Sequence, residues 1–304
     1  MQGLSLRFRS SIRHPRATPP GYPAPVPKDL LLRERLDRVM TLTMNDPDRL
    51  NGWTMPMLDA LGAALRDASS DPETKVVILT GTGRYYCAGV NLGGSLKLDH
   101  PASLYRFILE RNMELFNQFL RVPKPILIAA NGPAIGASVT SATLCDGVIA
   151  AESATFSTPF AALRVPAEGC STEVFPKLLG PDAARRMLGE QGWKPTGKEA
   201  VEIGLAQWVV PDDQLMDEAR RIAKQWIAED RQRTYPVGFT RAELEAINAR
   251  ESEVLAAAFL AEPFLMAQFR FLWSKGKRRL ALMFLALAKT RPAWKHLLPT
   301  HARG

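Results

Sequence analysis

Apolar and polar positions follow two registers along this chain, and the switches between them mark its elements. "LLLRERLDRVMTLTMND" from Leu30 alternates closely enough to predict two strands and a hairpin-like start. "TMPMLDALGAALRDASSD" changes to helical spacing, with Met57, Leu58, Leu61 and Leu65 on one face, Thr54 as N-cap and Pro56 in the first turn. "KVVILTGTG" reads as a buried strand running into glycines, and "SLYRFILERNMELFNQFLRV" as a long amphipathic helix stopped by Pro123 and Pro125. "ILIAANG" is a second buried strand ending in a turn. "ASVTSATLCD" is a short buried helix, and "GVIAAESATFSTP" is strand and turn. "STEVFPKLLG" and "PDAARRMLGEQ" predict short helices, and "TGKEAVEIGLAQWVV" a helix, a Gly204 cap and a strand.

Strand, glycine turn and helix in repetition is an α/β signature. From Gln214 onward the pattern turns almost wholly helical. The expected organisation is therefore a leader over 1–28, an α/β core over 29–213 and a helical region over 214–304 with a basic tail. The leader holds six prolines and no period, which predicts a disordered or targeting segment. The apolar run Leu280–Ala288 is too short to span a bilayer and predicts a buried helix or an interface.

Composition changes this picture only through charge. The net +8 divides into +5 over residues 1–28, +8 over 275–304 and −5 over the body between them. A uniformly basic surface would point to nucleic acid; an acidic body with basic ends does not. Three cysteines, Cys87, Cys145 and Cys170, are too few for a disulfide framework and fit a reducing compartment.

The chemistry is narrowed first by what is missing. Of the four histidines only His100 lies in the body, in a loop-like "LDHPAS", so Ser–His and Cys–His catalysis and His/Cys metal sites find no support. "TGTGRYY" has the first two glycines of a dinucleotide fingerprint but Tyr86 at the third. What remains is backbone and carboxylate. The turns in "YYCAGVN" and "ANGPAIGAS" could aim N–H groups at one point, and Glu168 in "VPAEGCST" supplies a lone acid. An oxyanion site with one carboxylate of raised pKa suits proton abstraction beside a thioester carbonyl. A plain turn and a helix-dipole residue are the ordinary alternatives for these pieces.

The segments "LNGWT", "KVVILTGTGRYYCAGVNL", "PKPILIAANGPAIGASVT" and "ATFSTPF" follow in order and spacing those of the crotonase (enoyl-CoA hydratase/isomerase) superfamily, which the chain resembles from about Leu31 to Lys277. The resemblance implies a crotonase-like core of repeated ββα units with a helical C-terminal region, assembled as a homotrimer or hexamer. It also implies an acyl-CoA substrate and no separate cofactor or metal, coenzyme A being part of the substrate. Carried over by position, the oxyanion donors would be the N–H groups of Ala88 and Ala137. Substrate contacts would fall at Asn51, Trp53, Gly89, Asn91, Leu92, Gly136 and Phe160, with Lys275 or Lys277 near the CoA phosphates. Hydratases of the family carry two glutamates; Thr140 and Phe160 stand at those positions here. "AEGCS" instead resembles the "PEGCS" of Δ3,Δ2-enoyl-CoA isomerases, which implies Glu168 as the catalytic acid/base.

Departures from the pattern keep alternatives open. Ala167 replaces a proline, Glu173 adds an acid, and Trp53 either narrows the acyl-CoA entrance or packs. Another crotonase reaction, a hydratase or dienoyl-CoA isomerase in secondary metabolism, stays open, as do an RNA-binding homologue and a silent acyl-CoA binder. The Arg-rich leader leans to mitochondria; the family also includes peroxisomal isomerases, whose Ser-Lys-Leu-like address "HARG" does not match. The amphipathic-basic tail could cover the acyl pocket, a neighbouring subunit or a membrane surface.

Overall fold

The computed structural model describes residues 30–90 and 99–303. The expected leader over 1–28 and the expected contacts Asn91 and Leu92 lie outside the described residues.

The alternating N-terminal stretch forms β1 (Leu31–Leu36) and β2 (Val39–Met44), paired antiparallel with Leu36 opposite Val39. The two residues between them, Asp37 and Arg38, both have positive φ (50° and 67°). That is the turn whose twist matches a two-residue hairpin. β3 (Val76–Gly81), β4 (Ile126–Ala130), β6 (Gly147–Ala151) and β8 (Trp208–Val210) then add in parallel, giving the sheet order β1-β2-β3-β4-β6-β8. β4 and β6 are buried at every position, as strands covered on both faces must be. Two short parallel strands, β5 (Ala134–Ile135) and β7 (Phe156–Ser157), form a separate ladder.

Helix α1 (Met55–Ser70) starts where expected: the Thr54 hydroxyl accepts from the Met57 N–H, and Met57, Leu61, Ala64, Leu65 and Ala68 bury one face. Helix α2 (Pro101–Leu120) is capped by His100, whose Nδ1 accepts from the Ala102 N–H at 3.3 Å. The one histidine of the body is thus a cap. Short helices α3 (Ala137–Ala142), α4 (Phe160–Leu163), α5 (Ser171–Leu178), α6 (Pro181–Leu188) and α7 (Gly197–Glu202) connect the later strands.

The C-terminal region is helical: α8 (Leu215–Ala228) packs on the sheet, α9 (Arg241–Phe259) on α2, and α10 (Glu262–Ser274) pairs with α11 (Arg278–Trp294) as a hairpin. The run Leu280–Ala288 is part of α11, and its Ala281, Phe284 and Ala288 are buried against Leu265 and Leu272 of α10. Among the described residues no single helix is long and apolar enough to cross a membrane. The tail then folds back. Buried Arg291 donates to the Leu260 and Ala302 carbonyls, and His301 Nε2 lies 2.8 Å from the Tyr105 hydroxyl. Leu298 and Ala302 join the apolar cluster of Leu104, Ile108, Leu255 and Phe259 between α2 and α9.

Candidate active site

One predominantly apolar cavity gathers most of the residues singled out in the sequence. Ala88, Gly89, Gly136, Ala137, Phe160 and Glu168 all line it, together with α2 and α9 side chains that include Ile108, Asn112, Leu255 and Phe259.

The loop over 87–90 is strapped on both sides. Cys87 N–H donates to the Pro133 carbonyl, the Ile135 N–H returns a bond to the Cys87 carbonyl, and the Ser138 hydroxyl bonds the same carbonyl. On the other flank the Trp53 N–H donates to the Gly89 carbonyl at 2.8 Å. Gly89 has φ 83°, and a Cβ there would come within 2.6 Å of the Ile135 oxygen, so the approach of the two backbones requires glycine.

This strapping corrects the expected donor. The Ala88 N–H is spent on the Leu50 carbonyl at 2.9 Å and is not free for a ligand. Val90 is the better placed group. It forms a parallel bridge with Trp53, in which the Trp53 N–H bonds the Gly89 carbonyl, so Trp53 does not take up the N–H of Val90. Val90 lines the cavity, and its N–H has no acceptor among the described residues. Ala137 also lines the cavity, and as the first residue of α3 its N–H has no intrahelical acceptor. Gly136 before it sits at φ 63°, with open space where a Cβ would project.

Two expected contacts are scaffold instead. Asn51 is fully buried; its Oδ1 accepts from the Asp46 N–H, and its Nδ2 donates to the Thr82 and Tyr85 carbonyls at 2.9 and 2.8 Å. Its own φ of 53° is a conformation asparagine tolerates better than most residues. Trp53 is fully buried, stacked on Phe119 with its Nε1 at 3.2 Å from the Met44 sulfur, so it packs and does not narrow an entrance. Lys275 caps the C-terminal end of α10, exposed, with its ammonium 5.9 Å from the Phe271 ring centre; it does not line the cavity.

Glu168 sits on the turn between α4 and α5. Gly169 and Cys170 follow at φ 70° and 63°, and the Glu168 carbonyl accepts from the Ser171 hydroxyl at 2.8 Å. A Cβ on Gly169 would lie 2.4 Å from the Phe116 ring and 2.5 Å from the Thr140 hydroxyl oxygen. The turn is therefore pressed against α2 and α3. The Glu168 carboxylate is buried, and no hydrogen bond or ion pair holds it among the described residues. Burial, and after it the charge of Glu251, push its pKa up to about 8. Thr140 is wholly buried, its hydroxyl 3.3 Å from the Ala137 carbonyl, and Phe160 faces the cavity with a ring. Glu173 points away, paired with Arg250 at 2.6 Å and partly exposed, which removes it from the substrate side. Burial raises the Cys87 and Cys145 thiols to about 12, which keeps them protonated and unsuited as nucleophiles.

Sequence reasoning missed three residues here: Val90, Asn112 and Glu251. Asn112 lines the cavity and donates to the Ser252 hydroxyl at 3.0 Å. Glu251 is a buried carboxylate on α9 that binds the backbone of the Glu168 turn.

Residues 34–259 fit the family model for enoyl-CoA hydratase/isomerase, and the chain belongs to that family. It is 32% identical over 274 residues to enoyl-CoA delta isomerase 3, peroxisomal, of Mus musculus, covering 83% of this chain and 81% of that protein. It is also 32% identical over 257 residues to enoyl-CoA delta isomerase 2 of Rattus norvegicus, covering 79% of this chain; the match spans 62% of the rat protein's length. The crystal structure of an enoyl-CoA hydratase/isomerase from Pseudoalteromonas atlantica T6c superposes with a TM-score of 0.68 at 27% identity, over 81% of this chain and 97% of that one. The fold is thus that of the crotonases, with acyl-CoA processing as the family's chemistry.

Proposed function

We propose that this protein isomerises 3-enoyl-CoA to 2-trans-enoyl-CoA, with Glu168 moving one proton from C2 to C4. The observation that carries this reading is a single buried, unpaired carboxylate in an apolar cavity that two unspent backbone N–H groups also line. With its pKa near 8, Glu168 is a base of useful strength near neutral pH and a competent acid once protonated. It takes the C2 proton, the electron pair spreads over the thioester carbonyl and C3=C4, and the developing oxyanion accepts from the Val90 and Ala137 N–H groups. The same carboxylic acid returns the proton at C4. The C2=C3 bond is left, and the carboxylate is regenerated. No water is consumed, which suits a site where Thr140 and Phe160 stand at the positions of the hydratase glutamates.

The test is an assay with 3-cis- and 3-trans-enoyl-CoA of several chain lengths, wild type against Glu168→Gln. Expected is isomerisation that falls in the variant by about two to four orders of magnitude. A wild type that binds acyl-CoA and isomerises none of them, or a variant as fast as wild type, would overturn the reading.

A further inference from the structure

Glu251 lies 83 residues after Glu168 in the sequence, on α9, and it is only 6% exposed. Its Oε2 accepts from the Cys170 N–H at 2.6 Å. Its Oε1 accepts from the Thr172 N–H at 3.0 Å and from the Thr172 hydroxyl at 2.5 Å. These three donors belong to the turn that carries Glu168 and to the first turn of α5, a helix with no capping side chain of its own. A carboxylate from α9 therefore does the capping from outside. All three bonds are donated to Glu251, which is what its ionised form requires.

Helix α9 is itself fixed. Asn248 donates to the Met113 carbonyl and to Asn117 at 2.9 Å, and Asn112 bonds Ser252, so polar side chains on both sides of Glu251 fasten α9 to α2. The left-handed pair Gly169–Cys170 has no regular ladder to hold it, so its geometry depends on such outside bonds.

We propose that Glu251 is the positioning residue of this site: its carboxylate, anchored on α9, holds the 168–172 turn in the conformation that aims Glu168 at the reacting carbons. This rests on the reading of Glu168 as the base. The charge of Glu251 has a second effect, since it is one of the causes that raise Glu168. The other charged groups at this corner are Glu173 of α5, paired with Arg250 of α9, and Arg111 of α2, which borders the cavity and faces Asp59.

The experiment compares wild type, Glu251→Gln, Thr172→Val and Glu168→Gln by steady-state kinetics across pH. It adds infrared titration of the carboxyl band that Glu168→Gln abolishes. Glu251→Gln is expected to lower kcat at least tenfold with KM within about threefold, and to move the acid limb of the rate profile and the Glu168 band to lower pH, because a negative neighbour has gone. Thr172→Val, which removes one bond and no charge, is expected to lower kcat about threefold without moving the band. A folded Glu251→Gln with unchanged kcat and an unmoved band would overturn the proposal. Should that variant not fold, an unaltered kcat in Thr172→Val would do so. If Glu168→Gln keeps full activity, it is the base assignment that falls, and the position of the infrared band still reports on Glu251.

Discussion

Replacing Glu168 by glutamine removes the group proposed for catalysis, and it should also stabilise the protein, by an amount that grows with pH. Burial raises the folded-state pKa from an ordinary 4.5 to about 8, so the native protein holds this proton more tightly than the unfolded chain does. Stability is then fully present below about 4.5 and is lost progressively as pH rises through about 8. Integrating that difference at 1.36 kcal/mol per unit gives a loss of about 1 kcal/mol by pH 5 and about 5 kcal/mol by pH 9. Glutamine occupies nearly the same volume and never ionises, so its contribution is flat. The gap in unfolding free energy between Glu168→Gln and wild type should therefore widen by about 4 kcal/mol between pH 5 and pH 9, in favour of the variant. Urea denaturation of both proteins at the two pH values, at equal protein concentration, measures this. Parallel pH dependences would mean that Glu168 is solvated or paired in the native protein, and the argument for a base tuned by burial would fail.

Gly169→Ala places a methyl group 2.4 Å from Phe116 at a positive φ, so it should cost about 2–4 kcal/mol and slow isomerisation by displacing Glu168, as read by thermal unfolding and kcat. Asn51→Ala removes three hydrogen bonds made by a fully buried side chain, each worth about 1 kcal/mol, and should lower the urea midpoint accordingly. If acyl-CoA affinity fell sharply while stability held, Asn51 would be a ligand contact after all.

Elements with a strong period were legible in the sequence, because burial of one face is written locally: the hairpin, α1, α2 and the buried strands all lie where their patterns put them. Details that depend on distant chain were not. Nothing local says that the Leu50 carbonyl captures the Ala88 N–H, and so Val90, two positions further along the motif, was missed. Asn51 and Trp53 sit in a motif that resembles a substrate loop, yet their side chains turn inward because Thr82, Tyr85 and Phe119 come to meet them from other elements. Glu251 reads as a solvent-facing acid on a helix with charged neighbours, and only the approach of the Cys170–Thr172 backbone gives it a buried role.

The basic tail shows the same dependence on distant partners. Read from the sequence it could cover the acyl pocket, a neighbouring subunit or a membrane surface, and its apolar positions decide where it goes. Leu298 and Ala302 are 1% and 3% exposed, which leaves them no surface to offer, and they pack behind Ile108, Leu255 and Phe259. Those three residues also face the cavity. The two ends of the site thus come from different parts of the chain. Val90, Ala137 and Glu168, around which the proton transfer is proposed, belong to the α/β core. The apolar wall beside them is built by α2 and α9 and backed by the last residues of the chain. The Glu168 turn lies at the junction, pressed against Phe116 and Thr140 on one side and bound by Glu251 on the other. A carboxylate left unpaired in an apolar cavity has no bonds of its own to fix it, so its position is set by the backbone that carries it. That backbone is held from both parts at once.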